Sequence, residues 1–422
     1  MTTQHKAPKF EFLDGLRGIA ALQVVLLHYC AAFLPTFARA GVPEHYKWEM
    51  MATHSAAFLL VQGYVAVYVF FVMSGFVLAN SFLDSRAPVV ALAAKRCVRL
   101  YLPVLASVLL AGVLMFMFRS VKQQAADISM SSWLHQQWAA QPDLHLLMKD
   151  IIVNSMIVGY GQASVFSAFP AFTSSALLTP MVGAVNPPLW TLHLEFWGSM
   201  VLLIVTILIR NLSARWIWIA MLTLFALSGT SFLMLFLFGF TCCLINRSNR
   251  QANSRARSIA GAILLFAGCV AACMPTTAAV QAVHELTRHL PIMHALDPFQ
   301  LQCEISALLL FSGVFLWPAM RSLLSRKVPQ WLGKVSFSLY LVHFAILLTL
   351  GCAIFSWLQP FGYLVAFFAA TSIGTLVSLC AAALFGQAVD QKSIRLAQKV
   401  MRLTSSMVST QRHPMERQMP RR

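Results

Sequence analysis

Apolar runs of membrane length, or close to it, follow one another along the whole chain, near 14–34, 56–83, 100–118, 189–209, 216–230, 231–246, 258–275, 301–320, 336–354 and 360–386. About 20 apolar residues suffice for a helix to cross a bilayer. Hydrocarbon offers no partner to a backbone N–H or C=O, so only helices and closed barrels cross it. The alternating strands of about ten residues that build a barrel are absent from this sequence. The expectation is an all-α polytopic membrane protein of about ten transmembrane helices. Only 11% of its residues are charged, against roughly 25% in soluble domains.

The formal charge of +17 is a topology signal rather than a nucleic-acid footprint. With the N-terminus inside, only Arg39, Lys47, Arg119, Lys122, Lys149 and Arg288 of the 31 lysines and arginines fall in outer segments. Arg17 sits at the inner mouth of the first span. This is the positive-inside pattern, with affinity for anionic lipid as a corollary. Both termini are therefore expected in the cytoplasm. The stretch 149–187, apolar in patches, must contribute zero or two crossings for that pattern to hold. Residues 1–387 read as one transmembrane domain. Residues 388–422 read as a basic cytoplasmic tail with an amphipathic start and a disordered end.

The nine cysteines lie in or beside apolar runs without a zinc spacing, so they read as small buried hydrophobes. No metal is expected. The outer cluster His284, Glu285, Arg288, His289, His294 and Asp297 fits no metal template. A cleavable signal peptide is not expected, because the apolar core before Ala38–Ala40 is too long and contains His28.

Ionisable groups inside a span are costly and mark function. In the first run, Arg17 and His28 share a helix face about 16 Å apart along the axis. Asp14 is too far from His28 to orient it and pairs instead with Arg17 at i,i+3. Arg96 and Arg99, also i,i+3, leave one face of KRCVRLYLP and suit bidentate grip on phosphates. Ser74 and Gly75 make a small polar notch in FFVMSGFVLA. In NPPLWTLHLEFWGS, Pro187 and Pro188 set a helix start, and Trp190, His193 and Trp197 share a face. Glu195 points away from them and needs an arginine, a histidine or a ligand hydroxyl as partner. In GKVSFSLYLVHFAIL, residues Ser336, Tyr340 and His343 form one polar stripe. A histidine can take a hydroxyl proton as general base, a second donor can hold an oxyanion, and inner-face arginines can hold a phosphorylated donor.

In order, the segments FLDGLRGIAALQVVLLH, FFVMSGFVL, RCVRLYLP, PLWTLHLEFW and SFSLYLVH resemble acyltransferase family 3, the integral-membrane O-acyltransferases. FGQAVDQKSIRL is similar to that family's closing segment, so the resemblance runs from residue 12 to 396. It implies transfer of a short acyl group, acetyl above all, from cytoplasmic acyl-CoA to a hydroxyl of a carbohydrate or glycolipid acceptor. It further implies a bacterial cytoplasmic (inner) membrane, acyl-CoA as a cosubstrate rather than a resident cofactor, and a separate periplasmic partner as one way to finish transfer. By position, His28, Glu195 and His343 match its catalytic set, and Arg17, Ser74, Arg96 and Arg99 its donor-binding set. His193, Phe196, Val342 and Ala345 depart from the pattern and reshape the walls around Glu195 and His343. The alternative reading of the same buried groups is a proton-coupled secondary transporter or exporter.

Overall fold

The computed structural model describes residues 10–139, 143–161, 164–165, 180–228, 231–248, 255–275, 280–282, 285 and 298–416. Every regular element among them is helical. We number the principal helices α1 (Glu11–Phe33), α2 (Gly63–Leu83), α3 (Val89–Ser129), α4 (Trp190–Ile209), α5 (Ala214–Ser228), α6 (Phe232–Ser248), α7 (Arg255–Cys273), α8 (Pro298–Leu316), α9 (Lys327–Ile346), α10 (Tyr363–Phe385) and α11 (Gln391–Glu416). Among the described residues, eight helical stretches are long and apolar enough to cross a membrane. The expected spans 216–230 and 231–246 are present as the shorter apolar helices α5 and α6. The described part of 149–187 contributes the π-helical stretch Asp150–Val158 and short turns, but no helix of spanning length. The outer cluster around His284 lies outside the described residues, except for Glu285.

α1 sits at the centre. It packs on α9 and α2, while α2 packs on α6, α8 and α4. Small residues allow the closest crossings, as is usual where lipid supplies no hydrophobic drive between helices. Gly18 of α1 faces Gly333 of α9, and a Cβ on either would run into the other helix's backbone. Gly75 and Gly239 play the same part where α2 crosses α6. The buried apolar side chains form two clusters, one around α1, α3 and α9 and one around α2, α6 and α8.

Helix α3 exceeds its expected span, and the chain stays helical beyond α10. The run 100–118 belongs to α3, which has 41 residues with Pro103 inside and a length of about 60 Å. Its first turns are covered by α11, which follows α10 through the π-helical turn Gly386–Asp390. The region expected as a tail thus begins as a helix docked on α3, and residues 417–422 lie outside the described residues.

Candidate active site

Among the residues singled out by the sequence, Arg17, Ser74, Arg96, Arg99 and Glu195 line one cavity of about 180 Å³. They come from α1, α2, α3 and α4. Helix α9 adds Ser336 and Tyr340, and α4 adds Thr191. Gly75 lets α2 approach α6 and so sets the wall on which Ser74 stands. Arg17 donates to Asp14 at 2.8 Å, as the i,i+3 spacing predicts. Its guanidinium also reaches the Gly333 carbonyl at 3.4 Å. The partner of Glu195 is Arg96, with Arg96 Nη2 against Glu195 Oε1. Arg99 is paired with Asp390, Nη1 to Oδ1 at 2.5 Å. Both arginines of the pair are therefore balanced by carboxylates.

The two imidazoles meet each other. His28 Nδ1 lies 3.0 Å from His343 Nε2, with ring centroids 5.1 Å apart. His343 is fully buried, whereas His28 is half-buried. His343 Nδ1 is 3.0 Å from both the Leu339 and Tyr340 carbonyl oxygens. A carbonyl can only accept, so Nδ1 of the neutral ring carries the proton and Nε2 carries the lone pair. His28 Nδ1 must then donate to His343. The free lone pair of His28 is left on Nε2. Trp133 stacks on the outer side of this pair, 5.8 Å from His28 between centroids, and Phe344 meets His28 edge-on.

Neither imidazole lines the cavity. The arginines and Tyr340 line it, and Tyr340 stands one helical turn from His343, with ring centroids 6.0 Å apart. The Tyr340 hydroxyl donates to the Pro188 carbonyl and lies 2.6 Å from Thr191 Oγ1. The strand of chain it grips is itself fixed: Asn186 Nδ2 donates to Ser107 Oγ at 2.8 Å and to the Leu341 carbonyl at 3.0 Å. The double proline at the start of α4 is thereby held against α3 and α9.

A comparison with known families bears on this geometry. The acyltransferase domain of family 3 matches residues 10–383. The chain belongs to that family. Among curated acyltransferases it is similar to acyltransferase R4 of a Phoma species, 24% identical, with 93% of this chain and 96% of that protein covered. It is also similar to acyltransferase clz18 of Cochliobolus lunatus, 25% identical over 62% of this chain and 60% of that one. No solved structure matches. The protein is thus a family 3 acyltransferase with the helices of a multi-pass membrane protein.

Other residues of this acyltransferase fall outside the cavity. His193 is buried against the Asp150–Val158 stretch, donating from Nδ1 to the Met156 carbonyl at 3.2 Å and accepting from Val165 N at 3.0 Å. Trp197 on the same face donates to the Ile157 carbonyl. This face of α4 thus holds the stretch that precedes it. Asp150, buried there, accepts from Asn154 Nδ2 and Val185 N. Burial pushes its carboxyl above the usual value of 3.8 despite those bonds. Among the described residues no three histidines, cysteines or acids gather as a metal site. Sequence reasoning missed Asp390 and Thr191. Asp390 carried a signal, a lone acid at the end of a long apolar run, which was assigned to the tail. Thr191 carried none, because its role comes from Tyr340 across the bundle.

Proposed function

We propose that this acyltransferase moves a short acyl group, acetyl above all, from acyl-CoA to a hydroxyl of a carbohydrate or glycolipid. The observation that carries the proposal is the pairing of His28 with His343 one turn beyond a cavity that holds Arg17, Arg96 and Arg99. The guanidiniums suit the CoA phosphates, and the neighbouring Ser74 and Ser336 suit the polar pantetheine arm. The bound tautomer leaves His28 Nε2 basic. His28 takes the proton of the acceptor hydroxyl, whose oxygen attacks the thioester carbonyl carbon. The C–O bond forms and the C–S bond breaks. The thiolate leaves and takes up the proton from the His28 imidazolium, giving free CoA and an ester. Glu195, released from Arg96 when phosphate arrives, completes the polar wall of the cavity.

In the topology that goes with this reading, ten helices cross the membrane, both termini lie in the cytosol, and the arginine cavity opens to that side. The positive-inside charge pattern supports it. A bacterial cytoplasmic membrane is one setting for this arrangement, and a separate outer partner is one route to a distal acceptor. The curated relatives are fungal.

Purified protein supplied with radiolabelled acetyl-CoA and extracted membrane glycans tests the proposal. Label should pass into ester linkage with the parent chain and not with His28→Ala. Transfer at the parent rate by a folded His28→Ala variant would end the general-base assignment. Proton-coupled solute counterflow without acyl-CoA would replace the proposal with the transporter reading.

A further inference from the structure

Asp390 ends the π-helical turn that joins α10 to α11. Such turns occur often at functional sites. Its carboxylate meets Arg99 Nη1, while the Arg99 guanidinium also lies over the Phe337 ring, 4.8 Å from the centroid. The first turn of α11 is fastened to α3 by Ser393, whose hydroxyl lies 3.3 Å from the Val98 carbonyl and 3.1 Å from that of Arg99. Arg99 lines the cavity and Asp390 does not. The acid therefore touches the cavity through the Arg99 guanidinium, from behind its lining. Arg96, one turn earlier on the same face, would repel Arg99 if no acid stood behind it.

We infer that Asp390 is a positioning residue for the phosphate-bearing part of the donor. It holds one edge of the Arg99 guanidinium from outside the cavity, and Phe337 holds one face. The remaining N–H groups of the fork stay available to an oxyanion, and the ordering cost of the long arginine arm is met before the ligand arrives. Docking of the last helix on α3 is thereby part of building the donor site. The inference rests on the CoA donor proposed above. A carboxylate that merely competed with phosphate for Arg99 would act in the opposite direction, since its removal would tighten binding.

Calorimetric titration of the full chain in detergent with CoA, and with pantetheine, separates these cases. Pantetheine keeps the arm and lacks the phosphates. Asp390→Asn should weaken CoA binding about tenfold, the scale of one misaligned charge-assisted bond, and leave pantetheine binding unchanged. Asp390→Glu should keep CoA affinity within about threefold of the parent, because the charge is retained. Should Asp390→Asn fail to fold, Asp390→Glu alone decides, by whether its smaller loss is confined to CoA. Unchanged or tighter CoA binding in Asp390→Asn would overturn the inference, as would equal losses for both ligands in either variant. A parent chain that binds CoA no better than pantetheine would instead overturn the donor assignment itself.

Discussion

His28 Nδ1 and His343 Nε2 are 3.0 Å apart, and the proton between them belongs to His28 because two backbone carbonyls of α9 hold the proton on the far nitrogen of His343. In the proposed reaction His343 then orients the base and does not itself receive the acceptor proton. This differs from a symmetrical pair of catalytic histidines.

His343→Ala should lower the turnover rate by up to about 10⁴-fold, the loss seen when the group that fixes a catalytic histidine's tautomer is altered. CoA affinity should not move, since His343 lies beyond the cavity lining. Steady-state rates together with calorimetric CoA titration check this. A loss in affinity equal to the loss in rate would place His343 in donor binding instead.

Breaking the Arg96–Glu195 pair from either side should destabilise the protein. The side chains are 17% and 15% exposed, between the surface and buried limits, so a single truncation should cost about 1–3 kcal/mol. Arg96→Met together with Glu195→Leu should recover most of that loss and still bind CoA poorly. Thermal melts of both single variants and the pair provide the measurement. Additive losses in the double variant would mean the two groups act independently.

Asp150 gives a pH signature outside the membrane-spanning helices. Its folded value lies above the ordinary 3.8 because burial disfavours the charged form. The protonated carboxyl is the form the fold prefers. Its contribution is fully present below the ordinary value and is lost as pH rises through the raised one. The parent should therefore lose melting temperature relative to Asp150→Asn as pH climbs from about 4. Parallel melting curves across that range would show that this carboxyl is not linked to folding.

Membrane length and the absence of alternating strands were enough to make the chain all-α and to locate its helices, because a backbone in lipid has so few options. The same rule pointed to Arg17, His28, Glu195 and His343, since a charge in hydrocarbon is rarely accidental. Local spacing also yielded the Asp14–Arg17 bond, which lies within one helical turn.

Pairings between distant helices were not legible. Nothing local to Glu195 names Arg96, nothing in α3 names Asp390, and nothing in the first helix says that His28 will meet His343. Each contact depends on where the glycine crossings let helices approach and on the turn about each axis that packing selects. The bond from Tyr340 to the Pro188 carbonyl arose in the same way. That carbonyl belongs to the double-proline start of α4 and comes within reach of the Tyr340 hydroxyl only when α4 and α9 are side by side.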